Sequence, residues 1–166
     1  MLLLLLRHGG LPARLLRPVL RVEKTVLFVC VENAGRSLMA EAIFNANPPP
    51  GWRAISGGTR PAASAHPRTG RMLEEIGVVP PGHAPQLATP EMIESSQVRV
   101  TMGCLDDASC PANLKTLKMV DWALPDPAGL DDAAARKVRD EVRDRVRGLR
   151  TELVLRDRQY PPGAPS

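Results

Sequence analysis

The stretch "TVLFVCVENAGRSLMAEAIFN", residues 25–45, decides how this chain is read. Its first six residues form a continuous apolar run rich in β-branched side chains, as in a strand buried on both faces of a parallel sheet. Further on, Met39, Ala42, Ile43 and, just past the stretch, Ala46 recur at helical spacing, with Ser37 as the expected N-cap. The loop between them, residues 31–36, leaves a cysteine at the end of the strand and an Arg-Ser pair at the start of the helix.

Strand, short loop and helix together bring unpaired amide groups and the positive end of a helix dipole to the carboxyl end of the strand. Such groups cradle a tetrahedral oxyanion, and they also favour negative charge on the sulfur of Cys30. That matters because a thiol attacks only as its thiolate. Arg36 contributes a planar fork matched to two oxygens of one anion. Ser37 offers a hydroxyl to the Cys30 sulfur, Asn33 a side chain able to bridge the loop, and Gly35 a backbone free of Cβ hindrance. Cys30 is therefore the candidate nucleophile, and Val31, Glu32, Asn33, Ala34, Gly35, Arg36 and Ser37 form the candidate oxyanion-binding loop. The plainer reading, Cys30 as a small buried hydrophobe and Arg36 as a surface charge, does not account for their position between strand and helix.

Outward from this stretch, "NPPPG" (47–51) ends the helix and "WRAISGG" (52–58) reads as a second strand. A helix is expected over 66–78, with Pro67 in its first turn and Gly77 at its end. Another begins at Thr89 as cap and Pro90 as first helical residue. "QVRVTMG" (97–103) reads as a third strand and "KTLKMVDW" (115–122) as a fourth. The last helix starts near Asp131 and carries Val138, Val142, Val146, Leu149 and Leu153 on one apolar stripe. Strands alternating with helices predict an α/β fold, a four-stranded parallel sheet flanked by helices on both faces. Ligands bind such sheets beyond the carboxyl ends of the strands, where Cys30 lies.

At 166 residues the chain is large enough for one domain with a real core, and with aromatics at 3% that core must be aliphatic. The catalytic domain is expected over residues 24–156, with a flexible N-terminal extension (1–23) and a disordered tail (157–166). The apolar opening "MLLLLLRHGG" is too short for a signal peptide, lacks a preceding positive charge and is followed by arginines. No stretch is long enough to span a bilayer. The net charge of +4 comes mostly from arginines interleaved with acids between Arg136 and Arg158, a solvated helix face rather than a nucleic-acid surface. Three cysteines cannot all pair internally, and free thiols suit the cytoplasm. The three histidines and three cysteines show no zinc-type pairing, so no metal centre is expected; His66 and His83 read as loop residues.

"VLFVCVENAGRSLMAEA" resembles the phosphate-binding loop shared by the low-molecular-weight protein tyrosine phosphatases and the thioredoxin-coupled arsenate reductases. "SGGTRP", "GHAPQL", "VTMGC" and "DWALPDPAG" follow in that family's order. The resemblance covers roughly residues 25–150 and implies the same three-layer fold. It makes Asp126, otherwise an ordinary Asp-Pro turn, the general acid that protonates the leaving oxygen. In a reductase of this family Cys30 forms a thiol–arsenate adduct. Cys104 and Cys110 then relay electrons through disulfides to thioredoxin or a small thiol. That relay requires the segment 104–110 to bend back or partly unwind, because bridged Cα atoms lie about 4.4–6.8 Å apart. Ala128 and Gly129 stand where phosphatases of the family carry aromatics that grip a phosphotyrosine ring, which favours a reductase.

Several expectations stay open. The main alternative is a low-molecular-weight phosphatase acting on phosphotyrosine or a small phosphoester. Others are a mycothiol-dependent reductase and a non-enzymatic oxyanion-binding module. Some relatives suggest a potassium ion near Asn33 and Glu41, and the protein is expected to be a monomer. Glu32 departs from the small residue usual in the loop, and Gln97 and Arg99 fall in a strand expected to be buried.

Overall fold

A computed structural model describes residues 23–104, 108 and 110–161. Four strands, β1 (Lys24–Cys30), β2 (Trp52–Gly58), β3 (Val98–Thr101) and β4 (Val120–Asp121), form one parallel sheet in the order β2-β1-β3-β4. The chain leaves β1 to one side for β2 and returns to its other side for β3. Cys30 ends β1 at that switch point, where a crevice opens in sheets of this kind.

Helices α1 (Arg36–Ala46), α2 (Pro67–Glu74) and α5 (Asp132–Gln159) cover one face of the sheet. There Val26 and Phe28 pack against Met39, Ile43, Leu73, Val142 and Val146. On the other face Leu27 and Val29 meet Ile93 from α3 (Pro90–Ser95) and Leu114 from α4 (Ala112–Thr116). Alternate residues of β1 thus feed two cores, and Val26, Leu27, Phe28 and Val29 are each fully buried. The α/β, helix–sheet–helix expectation holds, as do β2, the Thr89 cap of α3 and the Asp131 cap of α5.

Other boundaries move for identifiable reasons. The N-cap of α1 is Gly35, not Ser37, whose hydroxyl is turned to the Cys30 sulfur instead. α2 stops at Glu74, short of 78; Gly77 then turns the chain with φ +70°. β3 is four residues long, because Gln97 turns its side-chain oxygen to the Thr25 amide and Gly103 enters the left-handed region at φ +81°. Arg99 is accommodated by donating to the carbonyls of Ile93 and Glu94 at the end of α3. The expected fourth strand, 115–122, keeps only Val120–Asp121, since residues 112–116 are helical.

At the other end of the chain, α5 runs through residue 156 to Gln159, and Asp157 bonds both Trp52 and Lys24. Those residues of the expected tail are therefore part of the packed domain. Of the expected N-terminal extension only Glu23 is described, and residues 162–166 lie outside the described residues. No helix among the described residues is long and apolar enough to cross a membrane.

Candidate active site

The loop after β1 is held by its carbonyls. Those of Cys30, Val31 and Glu32 accept from the amides of Thr59 (3.1 Å), Arg60 (2.8 Å) and Ala62 (2.9 Å). That of Ala34 accepts from the His66 amide at 3.0 Å and the Thr69 hydroxyl at 2.8 Å. Drawing carbonyls outward is what allows a loop's amides to converge on an anion. Gly58 makes room for this: a Cβ there would lie 2.6 Å from the Val31 carbonyl oxygen.

At the centre the Asn33 amide points at the Cys30 sulfur, 3.3 Å away, and Ser37 Oγ stands 2.9 Å from it. Asn33 has φ +50°, a left-handed conformation that asparagine tolerates better than most residues. Its side chain supports the conformation fully. Nδ2 donates to Ser37 Oγ and to Ser56 Oγ, each at 2.8 Å, and Oδ1 accepts from the Gln86 amide at 3.0 Å. With Asn33 donating to it, Ser37 Oγ keeps its own proton for the sulfur. Sequence reasoning found Asn33 and Ser37 but missed Ser56 and Gln86, which lie inside the quoted motifs "SGGTRP" and "GHAPQL".

Ser56 Oγ donates in turn to Glu41 at 2.5 Å, and His83 Nε2 lies 3.0 and 3.1 Å from the two oxygens of that buried carboxylate. Desolvation lowers the pKa of His83, but its bond to the Ala84 carbonyl and the Glu41 charge outweigh that, and the balance is upward from 6.5. Both ring nitrogens face acceptors, which suits the imidazolium. Every oxygen of Glu41 and the Asn33 side-chain oxygen therefore already meets a donor. As arranged, these residues do not fit a potassium ion. His83 is a structural partner of the loop. Among the described residues no group of His, Cys, Asp and Glu is gathered to hold a metal.

Arg36 is 7% exposed and reaches the loop that carries Asp126. Its Nη1 donates to the Leu124 carbonyl at 2.8 Å, and Nη2 lies 3.5 Å from Asp126 Oδ2. Asp126 caps the short 3-10 turn Pro127–Gly129 by accepting from the Ala128 amide at 2.9 Å, while its side chain stays half exposed. Glu32, at the rim, pairs with His66 at 3.0 Å, a contact the sequence did not reveal; His66 thus also serves the loop. Arg36, which opens the helix after the Cys30 loop, thus links that loop to the one carrying Asp126.

All three cysteines are free. Cys104 is wholly buried with its sulfur 3.8 Å from the Val29 carbonyl, and Cys110 joins it in the core beneath Leu27 and Val29. Burial pushes the Cys104 thiol up to about 12; the adjacent Cys110 thiol, which hydrogen-bonds it, and the charge of Cys30 add to the rise. Residues 105–107 and 109, between the two cysteines, lie outside the described residues.

A cysteine at the switch point of a parallel sheet, facing the Asn33 amide and the Ser37 hydroxyl in a loop whose arginine reaches an aspartate, defines a phosphatase-like oxyanion pocket. The chain belongs to the low molecular weight phosphotyrosine protein phosphatase family, whose model matches residues 25–159. A putative arsenate reductase of Halobacterium salinarum is 32% identical over 131 residues, 76% of this chain and 90% of that protein. The thioredoxin-dependent arsenate reductase of Corynebacterium glutamicum superposes with a TM-score of 0.66 at 32% identity, over 80% of this chain and 62% of that one. The YwlE arginine phosphatase of Geobacillus stearothermophilus shares the fold at 23% identity, with a TM-score of 0.70 over 82% and 97% of the two chains.

Proposed function

We propose that this protein is an arsenate reductase that draws its electrons from thioredoxin or a comparable thiol. The observation that carries this reading is the gathering of Cys104 and Cys110 in one core, behind the strand that ends in Cys30. A phosphatase has no use for that pair, and the relatives at about 30% identity that bear arsenate reductase names support the same reading.

In this mechanism the loop amides and Arg36 bind arsenate, and the Cys30 thiolate attacks arsenic. One oxygen leaves as water with a proton from Asp126. Cys104 then attacks the Cys30 sulfur. The arsenic–sulfur electron pair passes to arsenic, arsenite departs, and a Cys30–Cys104 disulfide remains. Cys110 attacks Cys104 and frees Cys30, and the resulting Cys104–Cys110 disulfide is reduced by thioredoxin. Because Cys104 is buried and holds its proton, its attack requires this thiol to leave its core position. Potassium has no step in this scheme, since Ser56 and His83 already meet the oxygens of Glu41.

The second reading, a low-molecular-weight phosphatase, uses Cys30, Arg36 and Asp126 in the same way and replaces the relay by water. Arsenate-dependent NADPH oxidation with thioredoxin and thioredoxin reductase tests the first reading. Cys104→Ser is expected to abolish multiple turnover while sparing hydrolysis of p-nitrophenyl phosphate. Undiminished arsenate turnover in Cys104→Ser would overturn the relay. Rapid ester hydrolysis without any arsenate turnover would establish the phosphatase instead.

A further inference from the structure

We propose that Arg68 is a positioning residue that sets the Asp126 loop over Cys30, an inference that rests on the proposed role of Asp126 as general acid. The first turn of α2 touches both catalytic loops. On one side the His66 amide and the Thr69 hydroxyl hold the Ala34 carbonyl of the oxyanion loop, at 3.0 and 2.8 Å. On the other side Arg68, between them in sequence, extends to the acid loop. Its Nη1 donates to the Pro127 carbonyl at 2.9 Å and the Leu130 carbonyl at 2.5 Å. Its Nε lies 3.4 Å from Asp132 Oδ1, where α5 begins. One turn of helix thus brackets the nucleophile loop and the acid loop at a set separation.

Packing does not do this alone. Between α2 and the acid loop lies a cavity of about 210 Å³, bordered by Met39, His66, Met72, Pro127 and Ala128, with Arg68 on its wall. Pro127 of the 3-10 turn is buried but Ala128 and Gly129 are exposed, so a guanidinium spanning two carbonyls adds a hold on the turn that packing at Pro127 alone does not give. Asp126 is oriented by this turn through the Ala128 amide, so displacing the turn displaces the carboxyl. Arg36 reaches the Leu124 carbonyl and, at 3.5 Å, the Asp126 carboxylate, whereas Arg68 holds the backbone that follows, at Pro127 and Leu130. Arg68 touches neither the Cys30 sulfur nor the loop amides, so its loss is expected to spare anion binding and slow the step that needs the acid.

The test compares Arg68→Met, Arg68→Lys, Asp126→Asn and Arg68→Met/Asp126→Asn in steady-state arsenate reduction, with p-nitrophenyl phosphate hydrolysis run in parallel. Arg68→Met is expected to lower kcat about tenfold or more while KM for arsenate changes little, part of the general-acid contribution being lost. Arg68→Lys should recover part of that, because an ammonium can donate to the carbonyls but has no second nitrogen for Asp132. In the Asp126→Asn background Arg68→Met should have no further effect. Hydrogen exchange of the amides in 124–130 needs no turnover and is expected to quicken in Arg68→Met while α1 stays protected. Unchanged exchange there, or multiplying losses in the double variant, would overturn the proposal. Faster exchange and the kcat loss on ester alone, with no arsenate turnover in any variant, would uphold Arg68 and overturn the reductase reading.

Discussion

Gly103 lies directly against Arg36: a Cβ on Gly103 would come within 2.6 Å of the guanidinium Nη1. The glycine also has φ +81°, where a side chain is strained by about 1–2 kcal/mol. The arginine of the oxyanion loop therefore takes its direction in part from a residue distant in sequence at the end of β3. Gly103→Ala is expected to lower stability and to weaken inorganic phosphate binding about tenfold, the worth of one charge-assisted hydrogen bond. Thermal denaturation and titration calorimetry measure the two effects separately. Undiminished phosphate affinity would show that Arg36 does not depend on this contact.

Asp126 both caps a turn and faces Arg36, and the two roles separate chemically. Asp126→Asn keeps an oxygen for the Ala128 amide but has no proton to give. Turnover is expected to fall by about 10²–10⁴ with KM for arsenate nearly constant. A comparable rise in KM would mean that Asp126 serves binding.

Cys104 gives the fold a sensitivity to alkali. Unfolded, its thiol ionises near 9.0; folded, burial first and Cys110 second hold it up to about 12. Between those values the unfolded chain has released a proton that the folded chain retains, so stability is whole below about 9 and drains away as pH rises through about 12. The urea midpoint of the wild type should fall more steeply than that of Cys104→Ala between about pH 8 and about pH 10.5. Parallel curves would exclude the effect.

Glu75 acts in the opposite direction. At the end of α2 it accepts from Arg136 at 2.7 and 2.9 Å and from Arg139 at 2.6 Å. Arg136 first, and then Arg139 against the pull of desolvation, bring its carboxyl from 4.5 down to about 2. The contribution is present above 4.5 and lost as pH falls through about 2. Glu75→Gln is expected to melt below the wild type at neutral pH and to converge with it toward pH 2. A gap that persists in acid would trace the loss to packing instead.

Much of the framework was legible in the chain itself. The apolar run 25–30, the Thr89 and Asp131 caps and the Val138–Leu153 stripe are local patterns, determined by side-chain alternation and helical period. The same locality exposed Cys30 and Arg36, because strand, loop and helix are contiguous there. β4 was legible only in its last residues, since propensity over 115–122 says nothing of a helix packed at Leu114. What tertiary structure alone decided are the meetings of segments remote in sequence: Arg36 with Leu124 and Gly103, Asn33 with Ser56 and Gln86, Arg68 with the acid loop, Glu32 with His66, and Cys104 with Cys110 under β1. No periodicity encodes such contacts. They arise when the sheet order β2-β1-β3-β4 sets several loops side by side at one edge, where buried donors and acceptors must find one another.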